Sequence, residues 1–238
     1  MSHEMLNLVR AAEHVHLDPN ELKHVAQRGE IEATKRGDDW LFAHRALDEW
    51  AQRNLLAASE RDLKAQHRAM MDENRRAAHA DWGVAELFHA ETIDLAVGAK
   101  AKGGLIRDMT DLAERGGRVY DAEGLFKELV AREEAASTAI GEGVALLHPR
   151  FHDPYLFEES FVAYGRTTRP VFFGAPDGEA TRHFFLVCST DHVAHLHILA
   201  RLAVLAHGTD LIERLDAAED AEAVLAAIRT CEEPYRKP

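Results

Sequence analysis

A chain of 238 residues with 46% hydrophobic content is long enough for one large domain or two smaller ones around an ordinary buried core. A formal net charge of −13 excludes nucleic-acid binding by the surface as a whole, because phosphate contacts need clustered Lys and Arg, so any DNA contact must be local. No apolar run approaches the ~20 residues of a membrane span, the start MSHEMLNLVRAAEH lacks a signal peptide's basic end and apolar core, and Cys188 and Cys231 form no disulfide framework, so a cytoplasmic protein with no membrane partner is expected.

From the N-terminus, Leu8, Ala11, Ala12 and Val15 mark a short helix. Asp18 with Glu21 has the spacing of a capping box, Pro19 suits a first turn, and Gly29 ends this second helix. Residues 32–42 predict a hairpin around Gly37 and Asp38, and residues 45–52 a closing helix with Leu47 and Trp50. The pattern Ala11–Ala12, Arg28–Gly29, Ile31, Ala33, Lys35, Gly37, Trp40, Phe42 and Leu47–Asp48–Trp50 resembles the winged helix-turn-helix of the excisionase/MerR-like family. The resemblance implies that residues 1–54 bind DNA, with Asn20, Lys23, His24, Gln27 and Arg28 on the recognition helix and Lys35 and Arg36 on the wing. Charge opposes this implication: residues 1–54 hold seven Lys and Arg against ten Asp and Glu, a net −3, with Glu21 on the recognition helix and Asp38 and Asp39 at the wing tip. Dimerisation would raise the affinity, and a protein-interaction module is the alternative.

Residues 55–81 contain no Gly or Pro and predict a linker helix. Leu56, Leu63, Met70 and Ala77 recur every seven residues, but the second seam holds Ser59, Gln66 and Glu73, so the heptad is imperfect. Such a helix either packs on one domain or pairs two chains into a homodimer.

Residues 82–238 mix helical and strand patterns, which predicts an α/β fold with a mixed β-sheet flanked by helices. A helix and then a strand are expected around residues 87–97, and helices at 104–115 and 121–132. Strands are expected at 144–147, 160–166, 171–173 and 183–188, and helices at 192–207 and 218–231. In the stretch REEAASTAIGEGVALLHPR, Gly141 and Gly143 lead into a buried strand VALL, and His148 follows it just before Pro149. A histidine so placed is expected to be presented at a strand end rather than buried, and a neutral imidazole is a good nucleophile near pH 7.

Arg132–Glu133, Ser137–Thr138, Ile140–Gly141, Gly143, Ala145 and His148 resemble the active-site segment of the type-2 enzyme IIA family of the phosphoenolpyruvate:sugar phosphotransferase system, the fructose, mannitol and nitrogen type. Ala139 stands where that family has glycine and Leu147 where it has proline. The likeness covers about residues 82–230, with Gly174 to Gly178 as a family turn and His195 as the family's second histidine. It implies an enzyme IIA type-2 fold in which His148 accepts a phosphoryl group from an HPr-like histidine phosphocarrier protein, with Arg132 as the nearby cation and His195 as the supporting imidazole. In phosphoryl transfer the charged equatorial oxygens must be matched, which a fixed guanidinium does well. Ser137 and Thr138 either supply further donors or only cap a helix and fix the turn. His148 and His195 also admit a plain packing role, and Arg132 an i,i+4 pair with Glu128. His192, His195 and His197 form an HxxHxH cluster, but His197 leaves the face the other two share, so no metal site is expected, and no cofactor.

The expected whole is a phosphotransferase-linked transcriptional regulator: a winged helix-turn-helix, a linker helix, and an enzyme IIA-like domain. The alternatives are a phosphocarrier donating in trans to a sugar permease component, and a protein-interaction module that is never phosphorylated. No sugar-channel segment is read in the chain, so transport by this chain alone is not expected.

Overall fold

The computed structural model describes residues 5–15, 17–37, 39–57, 83–149, 156–190 and 192–236. Its N-terminal unit runs β1 (Met5–Asn7), α1 (Leu8–His14), α2 (Pro19–Gln27), β2 (Ala33–Arg36), β3 (Asp39–Ala43) and α3 (His44–Ala57). Helix α2 starts where it does because the Asp18 carboxylate accepts the Asn20 N–H at 2.8 Å, while Pro19, with no N–H to satisfy, takes the first turn. The hairpin is present, with β2 antiparallel to β3 from Ala33↔Phe42 to Arg36↔Asp39 and Gly37 at φ 66 in the turn. Strand β1 is an addition: three residues are too few to show alternation, yet β1 pairs with β3 and completes a sheet of order β1-β3-β2. Ala11, Ala12, Leu22, Val25, Ile31, Phe42, Leu47 and Trp50 form the core of this unit. Of the helix expected over 55–81, residues 55–57 complete α3, and the heptad positions Leu63, Met70 and Ala77 lie outside the described residues.

After a 3-10 turn at Val84–Leu87 come β4 (Phe88–Val97), α4 (Lys102–Arg115), α5 (Ala122–Ala135), β5 (Ala139–Gly141), β6 (Val144–Leu147), β7 (Phe161–Val171), β8 (Thr181–Cys188), α6 (His192–Gly208), α7 (Leu211–Ala217) and α8 (Ala221–Glu232). The five strands form one mixed sheet of order β4-β7-β8-β6-β5. Pairs β4·β7 and β6·β8 are parallel, and β7·β8 and β5·β6 antiparallel. The period of two along each strand divides the side chains between two cores. Val144, Leu146, Val162, Tyr164, Phe185 and Val187 face α6 and α8, whereas Ala145, Leu147, Phe161, Ala163, Phe184 and Leu186 face α4 and α5. Burial on both faces explains why VALL is apolar without alternation, and each fully buried Val, Leu or Phe contributes about 1.5 to 3 kcal/mol. Glu232, on the last helix, accepts the N–H groups of Val84 and Ala85 at 2.7 and 3.0 Å and ties the start of this unit to its end.

Four elements of this unit differ from expectation. Residues 171–173 are not a separate strand: β7 continues unbroken to Val171, because a register shift between Arg166 and Val171 accommodates Pro170, which has no N–H for the ladder. The helix expected from residue 218 starts at Ala221, where the Asp220 carboxylate caps Ala223 N at 2.8 Å, and a further short helix, α7, precedes it. Strand β5 is the fourth, too short and too rich in small residues to be read as a strand.

Candidate functional site

Strand β6 ends at Leu147, and the next residue is His148. Its Nδ1 lies 2.8 Å from the Leu146 carbonyl oxygen. A carbonyl oxygen only accepts, so this contact assigns the ring proton to Nδ1 and leaves a lone pair on Nε2. The opposite contact agrees: Arg132 Nε, which only donates, lies 3.0 Å from His148 Nε2. Arg132 comes from the last turn of α5, and its Nη1 donates to the Ala136 carbonyl oxygen at 2.9 Å. A cation is favourable at that helix end, and two contacts made by one planar guanidinium fix its orientation.

The second imidazole arrives from the other side. His195, in the first turn of α6, sets its ring edge-on to His148, with centroids 5.1 Å apart at 65°. The structure thus brings Arg132, His148 and His195 together from α5, the end of β6 and α6. One expectation is corrected here: His148 is not presented to solvent but has 0% exposure, as does His195, while Arg132 has 5%. Packing of the guanidinium and the second ring against His148 removes the surface that a bare strand end would offer.

Ser137 and Thr138 stand between α5 and β5 with both hydroxyls engaged. Ser137 Oγ donates to the Phe173 carbonyl oxygen at 2.9 Å and accepts the Ala139 N–H at 3.2 Å. Thr138 Oγ1 donates to Glu133 Oε2 at 2.7 Å, and the Thr138 N–H reaches the same oxygen at 2.9 Å. Sequence reading singled out neither the work of the Glu133 carboxylate nor Lys102, whose Nζ lies 2.6 Å from Glu133 Oε1. A lysine opening a helix carries no local signal that it meets a carboxylate 31 residues later.

In the N-terminal unit Asn20, Lys23, His24, Gln27, Arg28, Lys35 and Arg36 are all exposed. The first five lie on α2 or its C-cap, and Lys35 and Arg36 on β2. Arg28 is held by a salt bridge to Glu30, which raises its pKa through that hydrogen bond and charge. His195 and His197 are both buried, and among the described residues no group of three or more His, Cys, Asp or Glu is placed to hold a metal ion. Among the same residues no helix is long and apolar enough to cross a membrane.

Over this region the chain is similar to known proteins. The family model described as "Phosphoenolpyruvate-dependent sugar phosphotransferase system, EIIA 2" matches residues 86–231. The fructose-specific EIIABC component of the phosphotransferase system of Bacillus subtilis is 27% identical over 147 residues, which is 61% of this chain but 23% of that protein, so the chain spans under a quarter of this relative. A nitrogen regulatory protein of Bradyrhizobium diazoefficiens is 34% identical over 106 residues, 44% of this chain and 67% of that one. Among solved structures, nitrogen regulatory protein IIA-Ntr of Neisseria meningitidis aligns at a TM-score of 0.56 and 28% identity, covering 61% of this chain and 98% of that chain. IIA mannitol of Escherichia coli, at 23% identity and a TM-score of 0.53 over 59% of this chain and 98% of its own, shares the fold.

Proposed function

This chain belongs to the phosphoenolpyruvate-dependent sugar phosphotransferase system EIIA 2 family through residues 86–231, and from that premise we propose that it is a phosphotransferase-linked regulator. In this reading His148 accepts a phosphoryl group from an HPr-like histidine phosphocarrier protein, in the cytoplasm. The N-terminal unit acts as a winged helix-turn-helix that reports the state of His148 to DNA. One observation carries the first half: Nδ1 holds the proton against Leu146, and Nε2 keeps its lone pair beside the Arg132 guanidinium. The Nε2 lone pair forms the new N–P bond as the donor's N–P bond breaks and its electron pair returns to the donor imidazole, and no proton has to leave Nε2. Arg132 neutralises charge on the equatorial oxygens, and His195 supports the ring from the other side. Since His148 has no exposed surface, its surroundings must open for the donor to reach it.

Element order and exposure support the DNA-binding half: helix, turn, helix, hairpin and helix, with Asn20, Lys23, Gln27 and Lys35 facing solvent. A route between the halves is supported by α3, which packs against α6, the helix bearing His195, and against β5; Ala51 touches both cores. Pairing of two chains through residues 55–81 would present two DNA-binding heads. A second reading is a phosphocarrier donating to a separate permease component with the N-terminal unit as a docking module, and the net −3 over residues 1–54 favours it.

Intact mass after incubation with phosphoenolpyruvate and the general phosphotransferase proteins tests the acceptor. The chain should gain one phosphoryl group and His148→Ala none; label retained by that variant refutes the assignment. A gel-shift titration then separates regulator from carrier, since specific, salt-sensitive binding belongs only to the regulator.

A further inference from the structure

Beside the imidazole pair, a second charged cluster joins four segments of the chain. Lys102 opens α4, and its Nζ lies 2.6 Å from Glu133 Oε1 and 4.7 Å from the centre of the Phe173 ring. Glu133 is the residue after Arg132, with its side chain 2% exposed, and its other oxygen takes both the N–H and the hydroxyl of Thr138. Thr138 leads directly into β5, whose Ala139 pairs with Ala145 of β6, and the Leu146 N–H donates to the Thr138 carbonyl oxygen at 3.0 Å. Two consecutive residues on α5 therefore reach the same histidine by different routes. Arg132 touches His148 Nε2, and Glu133 holds the strand pair that ends at His148.

We propose that Lys102 and Glu133 are positioning residues for the acceptor, setting the distance between the Arg132 guanidinium and His148 Nε2. The proposal rests on the reading of His148 as the phosphoryl acceptor. The Glu133 carboxylate locks the end of α5 to the start of β5, with the Lys102 ammonium on one oxygen and both Thr138 donors on the other. Burial of a carboxylate is tolerated only when it is paired and hydrogen-bonded, and Lys102 is the charge that does the pairing. The lysine side chain is 39% exposed, so it regains water if the partner is lost, while the glutamate cannot. Loss of Lys102 therefore falls on Glu133 and, through it, on Arg132.

The test compares Glu133→Gln, which keeps shape and loses charge, with Lys102→Met and Lys102→Arg. Each is first shown to be folded by circular dichroism. Because neither residue touches the carrier in this reading, Glu133→Gln and Lys102→Met should lower kcat for phosphoryl uptake on the order of tenfold to a hundredfold and leave KM for the phosphorylated carrier within about twofold. Lys102→Arg should restore most of the rate. In unphosphorylated protein the ring nitrogen-15 resonance of His148 Nε2 should move in Glu133→Gln and Lys102→Met and return in Lys102→Arg. A rise in KM with kcat unchanged, or a resonance that stays fixed in all three variants while only the melting temperature falls, overturns the proposal. If the wild-type chain itself takes up no phosphoryl group, the acceptor reading fails, and the nitrogen-15 resonance still decides whether the pair positions Arg132.

Discussion

In the proposed acceptor role of His148, the location of one proton decides which nitrogen takes the phosphoryl group. The Leu146 carbonyl oxygen holds it on Nδ1, and Arg132 Nε faces the lone pair on Nε2. Arg132 works as a fork, one arm on the imidazole and one on the Ala136 carbonyl oxygen, and a lysine ammonium has no second, rigidly linked arm. Arg132→Lys should therefore keep the fold and lower the rate of phosphoryl uptake about a hundredfold, the scale of losing one preorganised donor. A variant with the wild-type rate in stopped assays of label transfer would remove Arg132 from the site. The positions of Arg132, His148 and His195 could be picked out along the chain by motif. Their burial could not, because it arises from three segments converging on one ring.

Strand β6 explains how His148 is held with Leu147 directly before it. Leu147 is 1% exposed in the core beneath α4 and α5 and pairs with Leu186 of β8, so ladder and packing fix its place. The turn feeding β6 is equally constrained. Gly141 adopts φ 94, and a Cβ there would lie 3.0 Å from Asp177 Oδ2. The Asp177 carboxylate accepts the N–H groups of Glu142 and Glu179, which hold its pKa below the usual carboxylate range. Gly141→Ala should cost about 1 to 2 kcal/mol in urea unfolding, combining a left-handed backbone with a displaced carboxylate. Unchanged stability would mean that the turn reshapes freely. The punctuating glycines were legible in the sequence, whereas β5 and α7 were not, because three and seven residues are too few to display a period.

At the scale of the molecule, a polar cluster on the face packed by α6 and α8 makes stability depend on pH. Tyr164 Oη lies 2.8 Å from His183 Nδ1, His183 Nε2 lies 3.5 Å from Asp216, and Arg182 bridges to Asp216 at 2.9 Å. Arg166 donates to the carbonyl oxygens of Leu215 and Asp216, fastening the end of α7 to the sheet. Burial pushes the His183 pKa down from 6.5 to about 4, with Asp216 opposing and Arg182 and Arg166 reinforcing the fall. The unfolded chain therefore takes up this proton first, so the contribution is complete above pH 6.5 and is lost as pH falls toward 4, by at most about 3 kcal/mol. His183→Gln should flatten the pH dependence of unfolding between those limits; a slope equal to wild type would place the acid sensitivity elsewhere. By itself the sequence determined the α/β class, the strand VALL, the hairpin around Gly37 and the candidate trio, since these rest on local periodicity, glycine placement and motif spacing. Only the tertiary structure decided that His148 is enclosed, that Thr138 spends its hydroxyl on Glu133, and that Lys102 stands behind that carboxylate. Those facts depend on contacts between residues far apart in the chain, and no local pattern encodes them.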